Sequence, residues 1–307
     1  MRNILVIHYS QSGQLTEILQ NIVAPLQKDD AITVDFHNIR MEQDFPFPWT
    51  KEKFMGVFPE SFLQEPAKIH PVSQDILNKT YDLIILGYQV WYLTPSIPVN
   101  SFLKSADAEK LLKNTPVITV SGSRNMWIMA QEKVKRELKD LQAKLVGNIA
   151  LVDRHINHIS VITIVQWMFS GKKERFMKIF PKPGVSQTDI DEASKFGAVI
   201  LNHVKTDDYS MLQENLLKKD AVKIKPFLVV TDQRGNAIFS KWAKFLKSKG
   251  EIDNPNRKFW IKIFTKYLLI AIWVIAPIVF ILFLLTYLPS LGRIKREKVY
   301  YESVELK

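Results

Sequence analysis

Apolar residues follow two alternating patterns over the first two thirds of the chain. Short apolar runs occupy residues 4–7, 81–87, 116–122 and 143–151, and residues 31–36 alternate apolar with polar. Runs of this length between turn-forming residues read as strands, most of them buried on both faces. Between them the apolar spacing switches to three and four. Ile18, Leu19, Ile22 and Val23 share one face of a helix beginning near Glu17. Residues 126–141 read as a second amphipathic helix, with Glu132, Lys133, Lys135, Arg136, Lys139 and Asp140 on its expected outer face. Residues 188–204 read as a third. Ile190, Phe196, Val199, Ile200 and Val204 point inward, and Asp189, Asp191 and Glu192 stand in the first turn, where the helix dipole favours acids. Five β–α units in this order predict an α/β fold, a doubly wound five-stranded parallel sheet.

Three stretches interrupt that pattern. Phe45-Pro46-Phe47-Pro48-Trp49 holds two prolines and cannot be a regular element. With Phe54, Met55 and Phe58 it either caps the core edge or lines a pocket for a hydrophobic ligand. Residues 156–169 are strongly apolar yet too short to cross a bilayer, and residues 171–180 mix cations with aromatics. They form either an extra packed element or an interfacial pocket wall that admits a lipid-like chain. Near the C-terminus, residues 226–236 read as one more strand and turn. Residues 237–249 read as a basic amphipathic helix, with Phe239, Trp242, Phe245 and Leu246 opposite Lys241, Lys244, Lys247 and Lys249. Residues 267–288 then carry no charge. That length suffices to cross a hydrocarbon core of about 30 Å as a helix.

Charge sharpens the reading of this tail. Residues 1–217 carry 24 Lys+Arg and 24 Asp+Glu, whereas residues 218–307 carry 18 and 7. The entire excess of +11 therefore lies around the apolar stretch. Lys258, Lys262 and Lys266 lead into it, Arg293, Lys295, Arg296 and Lys298 lead out, and Tyr267 and Tyr287 sit at its ends, where interfacial aromatics belong. This arrangement predicts an anionic membrane surface, and not nucleic acid, as the partner of the basic tail. It gives a transmembrane or monotopic anchor with the catalytic part on the cytoplasmic side. The expected divisions are a domain over 1–205 with insertions near 41–70 and 152–187, a basic juxtamembrane region over 206–258, an anchor over 259–290 and a charged tail over 291–307.

The chain has no cysteine, which excludes disulfides, iron–sulfur clusters, Cys-ligated zinc and thiol-based acyl transfer. Its six histidines lack metal-binding spacing, and no metal is expected. The loops that follow the strands carry the chemistry instead. The first strand runs through Ser10-Gln11-Ser12-Gly13-Gln14-Leu15-Thr16 into a helix. The first N–H groups of a helix lack internal partners and favour an anion, and Ser10, Ser12 and Thr16 add hydroxyls. This loop has neither the lysine of a P-loop nor the three glycines of a dinucleotide fingerprint. It resembles the Ser/Thr-x-Ser/Thr-Gly-x-Ser/Thr phosphate loop of flavodoxins, which holds the single phosphate of FMN. Leu15 stands where the last hydroxyl belongs, with Thr16 beside it.

Gly87 is followed by Tyr88-Gln89-Val90-Trp91-Tyr92. This run resembles the aromatic loop of flavodoxin-like quinone and FMN reductases, with Tyr88-Gln89 in place of that family's proline. The resemblance implies that Trp91 and Tyr92 flank the isoalloxazine ring and that backbone groups of Gln89 and Val90 contact it. The loop Ser121-Gly122-Ser123-Arg124-Asn125 then corresponds to the segment at the pyrimidine side of the flavin. The expected FMN-binding set is Ser10, Gln11, Ser12, Gly13, Gln14, Leu15, Thr16, Gln89, Val90, Trp91, Tyr92, Ser121, Gly122, Arg124 and Asn125. The sheet is expected in flavodoxin order, 2-1-3-4-5, followed by a membrane-anchoring helix.

Together with residues 45–49, Arg124-Asn125-Met126-Trp127 and Phe180-Pro181-Lys182-Pro183-Gly184-Val185, these runs resemble the bacterial dialkylresorcinol-condensing enzyme family. That family is associated with dialkylresorcinol and flexirubin-type pigments and works beside a ketosynthase. We therefore expect FMN-dependent dehydrogenation (aromatisation) of a dialkylcyclohexanedione to a dialkylresorcinol. Arg124 would polarise a carbonyl; the base is unassigned, with Tyr92 and His8 as candidates. Two other readings stay open: an NAD(P)H-dependent FMN or quinone reductase, and a membrane-tethered electron-transfer flavodoxin. The expected partners are a hydrophobic small molecule, membrane lipid and a ketosynthase; a homodimer is left open.

Overall fold

The computed structural model describes residues 1–306. Along the chain run β1 (Arg2–His8), α1 (Gln14–Gln27), β2 (Ile32–Asn38), α2 (Lys51–Gly56), α3 (Phe58–Leu63), α4 (Gln74–Leu77), β3 (Leu83–Trp91) and the two-residue β4 (Thr94–Pro95). Then come α5 (Ile97–Leu103), α6 (Ala106–Leu112), β5 (Pro116–Ser123), α7 (Ile128–Asp140), β6 (Lys144–Val152), α8 (Asn157–Ser170), α9 (Gln187–Asp191), α10 (Ser194–Thr206) and α11 (Leu212–Leu217). The C-terminal part holds α12 (Pro226–Lys247), α13 (Pro255–Ile270), a π-helical turn (Ala271–Ile275), α14 (Ala276–Leu285) and α15 (Leu291–Glu302).

The sheet order is β2-β1-β3-β5-β6, all parallel, with β4 antiparallel to the end of β3. This is the flavodoxin-like order 2-1-3-4-5. The apolar run of β1 is continuous because both of its faces are covered. Ile4 and Val6 pack with α1 and α10 on one side, and Leu5 and Ile7 pack with α5, α6 and α7 on the other. All four side chains are fully buried, each contributing about 1.5–3 kcal/mol by leaving water. Two glycines permit close approach of the layers. A Cβ on Gly197 would lie 1.8 Å from the Ile22 carbonyl oxygen where α10 crosses α1, and one on Gly87 would lie 2.6 Å from Leu19 Cδ1.

Four expectations change. The strand expected over 81–87 continues to Trp91, because Tyr88 is a core residue whose hydroxyl donates to Gln131 Oε1 at 2.7 Å. The helix expected over 188–204 is two helices, α9 and α10. Residues 226–236 are not a strand and turn but the first half of α12, a helix of 22 residues. The expected outer face of α7 is half covered. Glu132, Lys133 and Lys135 are buried, whereas Arg136, Lys139 and Asp140 are exposed.

The cover is the returning C-terminal chain. Tyr300 donates to Glu132, and Lys135 Nζ donates to the Glu305 carbonyl at 2.8 Å. Lys133 Nζ lies 4.1 Å from the centre of the Phe62 ring. Its apolar surroundings pull its pKa down to about 8, with Arg136 adding repulsion.

Candidate functional site

The order in which strands are added to the sheet reverses between β1 and β3, which opens the crevice where open α/β sheets bind ligands at their carboxyl ends. A cavity of about 170 Å³ opens there. Its floor comes from the three loops singled out in the sequence: Gln11, Ser12, Gln14 and Leu15 after β1, Gln89, Val90, Trp91 and Tyr92 at the end of β3, and Gly122, Ser123 and Arg124 at the end of β5. Its walls are apolar, with Phe47, Trp49 and Phe54 on one side and Ile164, Trp167 and Met168 of α8 on another. Two of the three interrupting stretches thus reach the same cavity. Ser123 and Gly184 also line it.

The β1 loop is built for an anion. Gly13, at φ +81°, ends the loop as the N-cap of α1, a left-handed conformation that glycine adopts without strain. The Ser10 hydroxyl accepts the Thr16 N–H at 3.4 Å, and Glu17 N–H donates to the Gly13 carbonyl. The N–H groups of Ser12, Gly13, Gln14 and Leu15 have no acceptor among the described residues. The Thr16 hydroxyl does not stand free beside them; it pairs with His8 Nε2 at 3.0 Å. Leu15 turns its side chain into the core and is 1% exposed. Its hydrophobic contribution explains the missing hydroxyl, and its N–H is what it can offer a ligand.

The β3 loop is a two-residue hairpin. Trp91 pairs with Thr94, and Tyr92 and Leu93 between them have φ +50° and +65°. Two consecutive left-handed residues match a hairpin turn whose usual occupants are Asn and Gly. With other side chains each costs of order 1–2 kcal/mol. Neighbouring contacts hold the turn. The Tyr92 hydroxyl donates to the Phe54 carbonyl, and the Thr94 hydroxyl lies within hydrogen-bonding distance of the Ser61 and Trp91 carbonyls, at 3.0 and 2.9 Å. Tyr92 therefore offers the cavity its ring. Burial pushes its phenol well above its ordinary pKa, so it stays protonated.

Trp91 is half-buried beneath other aromatics of the chain. Phe45 lies 5.1 Å away and Trp49 5.5 Å away, both edge-on. Trp49 fastens this cover. Its indole N–H donates to Gln11 Oε1 at 2.9 Å, and its backbone N–H donates to the Met168 carbonyl at 2.8 Å. Gln11 in turn donates to the Pro46 carbonyl at 3.0 Å. Residues 45–49 are thereby tied to both the phosphate-type loop and α8. On the far side, Gln14 exchanges two hydrogen bonds with the backbone of Val185, each 3.1 Å. Gly184 fits there because a Cβ would lie 2.7 Å from Gln14 Oε1 and 2.8 Å from Trp167 Cζ3.

Arg124 supplies the charge. It lines the cavity and has no hydrogen-bond or ion-pair partner among the described residues. Burial pulls its pKa down to about 10, opposed by Asp153, so it remains a cation at neutral pH. Ser123 Oγ, buried beside it, also lacks a partner. Other expected residues lie elsewhere. Ser121 is fully buried and does not line the cavity; Gly122, one position on, faces the other side of the strand, as alternation requires. Asn125 lines a neighbouring cleft with Trp127, Arg154 and Lys225, and its amide donates to Asn157 Oδ1 at 3.3 Å. His8 lies outside the cavity lining. Its pKa is lowered to about 4 by burial and by nearby His37, so it is neutral at pH 7.

The residues present fit FMN. The N–H groups of Ser12 to Leu15 suit a phosphate, Gly122 lines the cavity with its backbone, and Ser123 and Arg124 offer unsatisfied donors. Among the described residues no cluster of His, Asp or Glu could hold a metal ion.

No protein-family model matches the chain, and no curated protein matches it. Solved structures similar to part of it include a flavoprotein in complex with FMN from Lactobacillus acidophilus (15% identity, TM-score 0.38, covering 49% of this chain and 93% of that one). A flavodoxin from the domain Archaea has 13% identity and a TM-score of 0.37, covering 66% and 99%. The FerB flavoenzyme NAD(P)H:(acceptor) oxidoreductase of Paracoccus denitrificans has 11% identity and a TM-score of 0.32, covering 67% and 98%. At these values the flavodoxin-like fold rests on the strand order of the chain itself.

Proposed function

We propose that the chain binds FMN in this cavity and is a flavin-dependent oxidoreductase. The reaction put first is dehydrogenation of a dialkylcyclohexanedione to a dialkylresorcinol. The observation that carries this reading is Arg124, an unpaired cation and, among the described residues, the one charged residue lining the cavity, next to a loop of free N–H groups. Bound FMN supplies a hydride acceptor, and the reaction class is then removal of one hydride and one proton from adjacent ring carbons.

The chain contributes binding, orientation and charge. Ser12 to Leu15 hold phosphate. Arg124 donates to a ring carbonyl and stabilises the enolate that forms when the ring carbon between that carbonyl and the hydride-losing carbon gives up its proton to water; tautomerisation of the resulting enedione then completes the aromatic ring. Neither expected base is placed to take it, since the Tyr92 hydroxyl is held by Phe54 and His8 lies outside the lining. The alkyl chains lie against Trp49, Phe54, Trp167 and Met168, where leaving water contributes about 0.8 kcal/mol per methylene. The resemblance to the dialkylresorcinol family supports this substrate class and a ketosynthase as its supplier.

The test is incubation of the full-length protein with FMN and a 2,5-dialkylcyclohexane-1,3-dione. Resorcinol formed in air, and bleaching of the flavin by the dione without oxygen, are expected. Absence of both overturns the reaction. Bleaching by NADPH with turnover of a quinone would replace it by the reductase reading.

A further inference from the structure

The apolar stretch belongs to one helical rod, Pro255–Leu285, 31 residues long and so about 46 Å in length. By size alone it can cross a bilayer. Its contacts say otherwise. It runs antiparallel along α12 from end to end: Trp260 meets Phe245 at 4.9 Å, Tyr267 meets Trp242 at 5.3 Å, and Phe280 meets Phe227 at 4.8 Å. Midway, His158 at the start of α8 contacts the Ile272 carbonyl at 3.1 Å. Both flanks are built into the same domain. Before the rod's apolar half, Arg257 is fully buried on Glu60 of α3. Beyond it, Tyr300 and Tyr301 pack in the cluster of Trp127 and Ile128, and Gln213 of α11 donates to the Glu302 carbonyl at 2.7 Å.

A segment whose two flanks dock on one folded domain cannot leave them on opposite sides of a membrane. Yet its outward face is apolar and uncovered: Leu269, Val274, Ile278, Ile281 and Leu285 are each more than half exposed. We propose that this helix lies in the plane of a single leaflet of an anionic bilayer, as a monotopic docking surface. The charge pattern selects the occupant. Cations stand at both ends of the apolar face, Lys262 and Lys266 before it and Arg293, Lys295 and Arg296 after it, all exposed, where phosphate headgroups lie. A second copy of the chain, carrying the same cations, would meet them with repulsion. Because α8 touches the docked helix at His158 and walls the cavity at Trp167, the same attachment brings the cavity next to the lipid.

The absence of native cysteine makes the test clean. Full-length Asp253→Cys and Val299→Cys each place one thiol on an exposed position flanking the helix; the Asp253 side chain is 97% exposed and Val299 69%. In sealed inverted and right-side-out vesicles from the expression host, a membrane-impermeant maleimide should label both variants from one and the same side, to within twofold. Labelling from opposite sides overturns the proposal. As a second measurement, the unmodified protein should float with phosphatidylglycerol-containing liposomes and come off only with detergent. Recovery in the soluble fraction, or as a dimer that ignores liposomes, also overturns it.

Discussion

At the scale of single residues, Arg124 has opposite effects on function and on stability. A half-buried guanidinium with no partner penalises the fold, and its lowered pKa is that penalty expressed as a titration. The penalty is present at every pH below about 10 and is relieved only above it. Arg124→Met should therefore raise stability by about 1–2 kcal/mol while lowering turnover of a dione by about 10²–10³-fold. Thermal unfolding and steady-state rates on the same preparation check both directions. In the wild type, the rate should decline as pH rises through about 10. Ser12 tests the other end of the site. In Ser12→Glu a carboxylate occupies the free N–H groups and repels phosphate. FMN at a hundred times its wild-type Kd should stabilise the native chain by about 2.7 kcal/mol and this variant hardly at all, in a thermal shift read with and without FMN.

Of the residues that line the cavity, Ser12 and Arg124 stood out in the sequence by loop position and residue type. The sequence did not reveal that the Thr16 hydroxyl is held by His8, or that Tyr92 is held by Phe54. Those pairings join residues brought together only by the fold. Gly184 and Ser123 carried a weaker signal, a glycine and a serine in loops.

At the scale of elements, α12 was the element least legible in the sequence. Val229, Val230 and Thr231 have strand preferences, and Gly235 looks like a turn. Tertiary packing overrides both. Gly235 lets the helix press on the β3 hairpin, where a Cβ would lie 3.1 Å from Leu93 Cδ1. Three residues earlier, Asp232 is fully buried and accepts the Met129 N–H at 3.1 Å, while its Oδ1 has no partner. Burial raises its pKa to about 7. An acid with a raised folded pKa binds its proton more tightly when folded, so its contribution to stability is lost as pH rises from about 4 to about 7. In Asp232→Asn, which keeps an acceptor for Met129, the unfolding temperature should fall less between pH 5 and 8 than in the wild type, and should be higher at pH 8.

The α12–α13 hairpin depends on a second buried group. Arg257 donates to both Glu60 oxygens, at 2.8 and 2.6 Å, and to the Gly56 carbonyl at 2.9 Å. Glu60→Gln leaves this guanidinium without its countercharge and should destabilise the protein by about 3–5 kcal/mol. Cleavage by limited proteolysis should then begin between residues 249 and 254.

At the scale of the molecule, the five strands were legible because four are separate apolar runs and the fifth alternates, with helix-spaced segments between them. How the tail folds was not. Its charge and apolarity point to a membrane, but the return of Tyr300 and Tyr301 to Trp127 and Ile128 joins positions far apart in the chain. No periodicity encodes that contact. The charged outer face expected on α7 is half covered for the same reason: Glu132 and Lys135 look solvated until the C-terminal segment covers them, and Lys133 until Phe62 of α3 does.

Trp49 has the widest consequence. Its two N–H groups hold Gln11 and the Met168 carbonyl, so one residue spans the loop that takes an anion and the helix that walls the alkyl side. Linkage then makes the two occupancies reciprocal: whatever factor FMN adds to the affinity for an alkyl ligand, that ligand must add to the affinity for FMN. An unreactive alkylresorcinol should tighten FMN binding in the wild type. In Trp49→Phe, which loses the indole donor and keeps the backbone one, that factor should fall toward one while each ligand still binds alone.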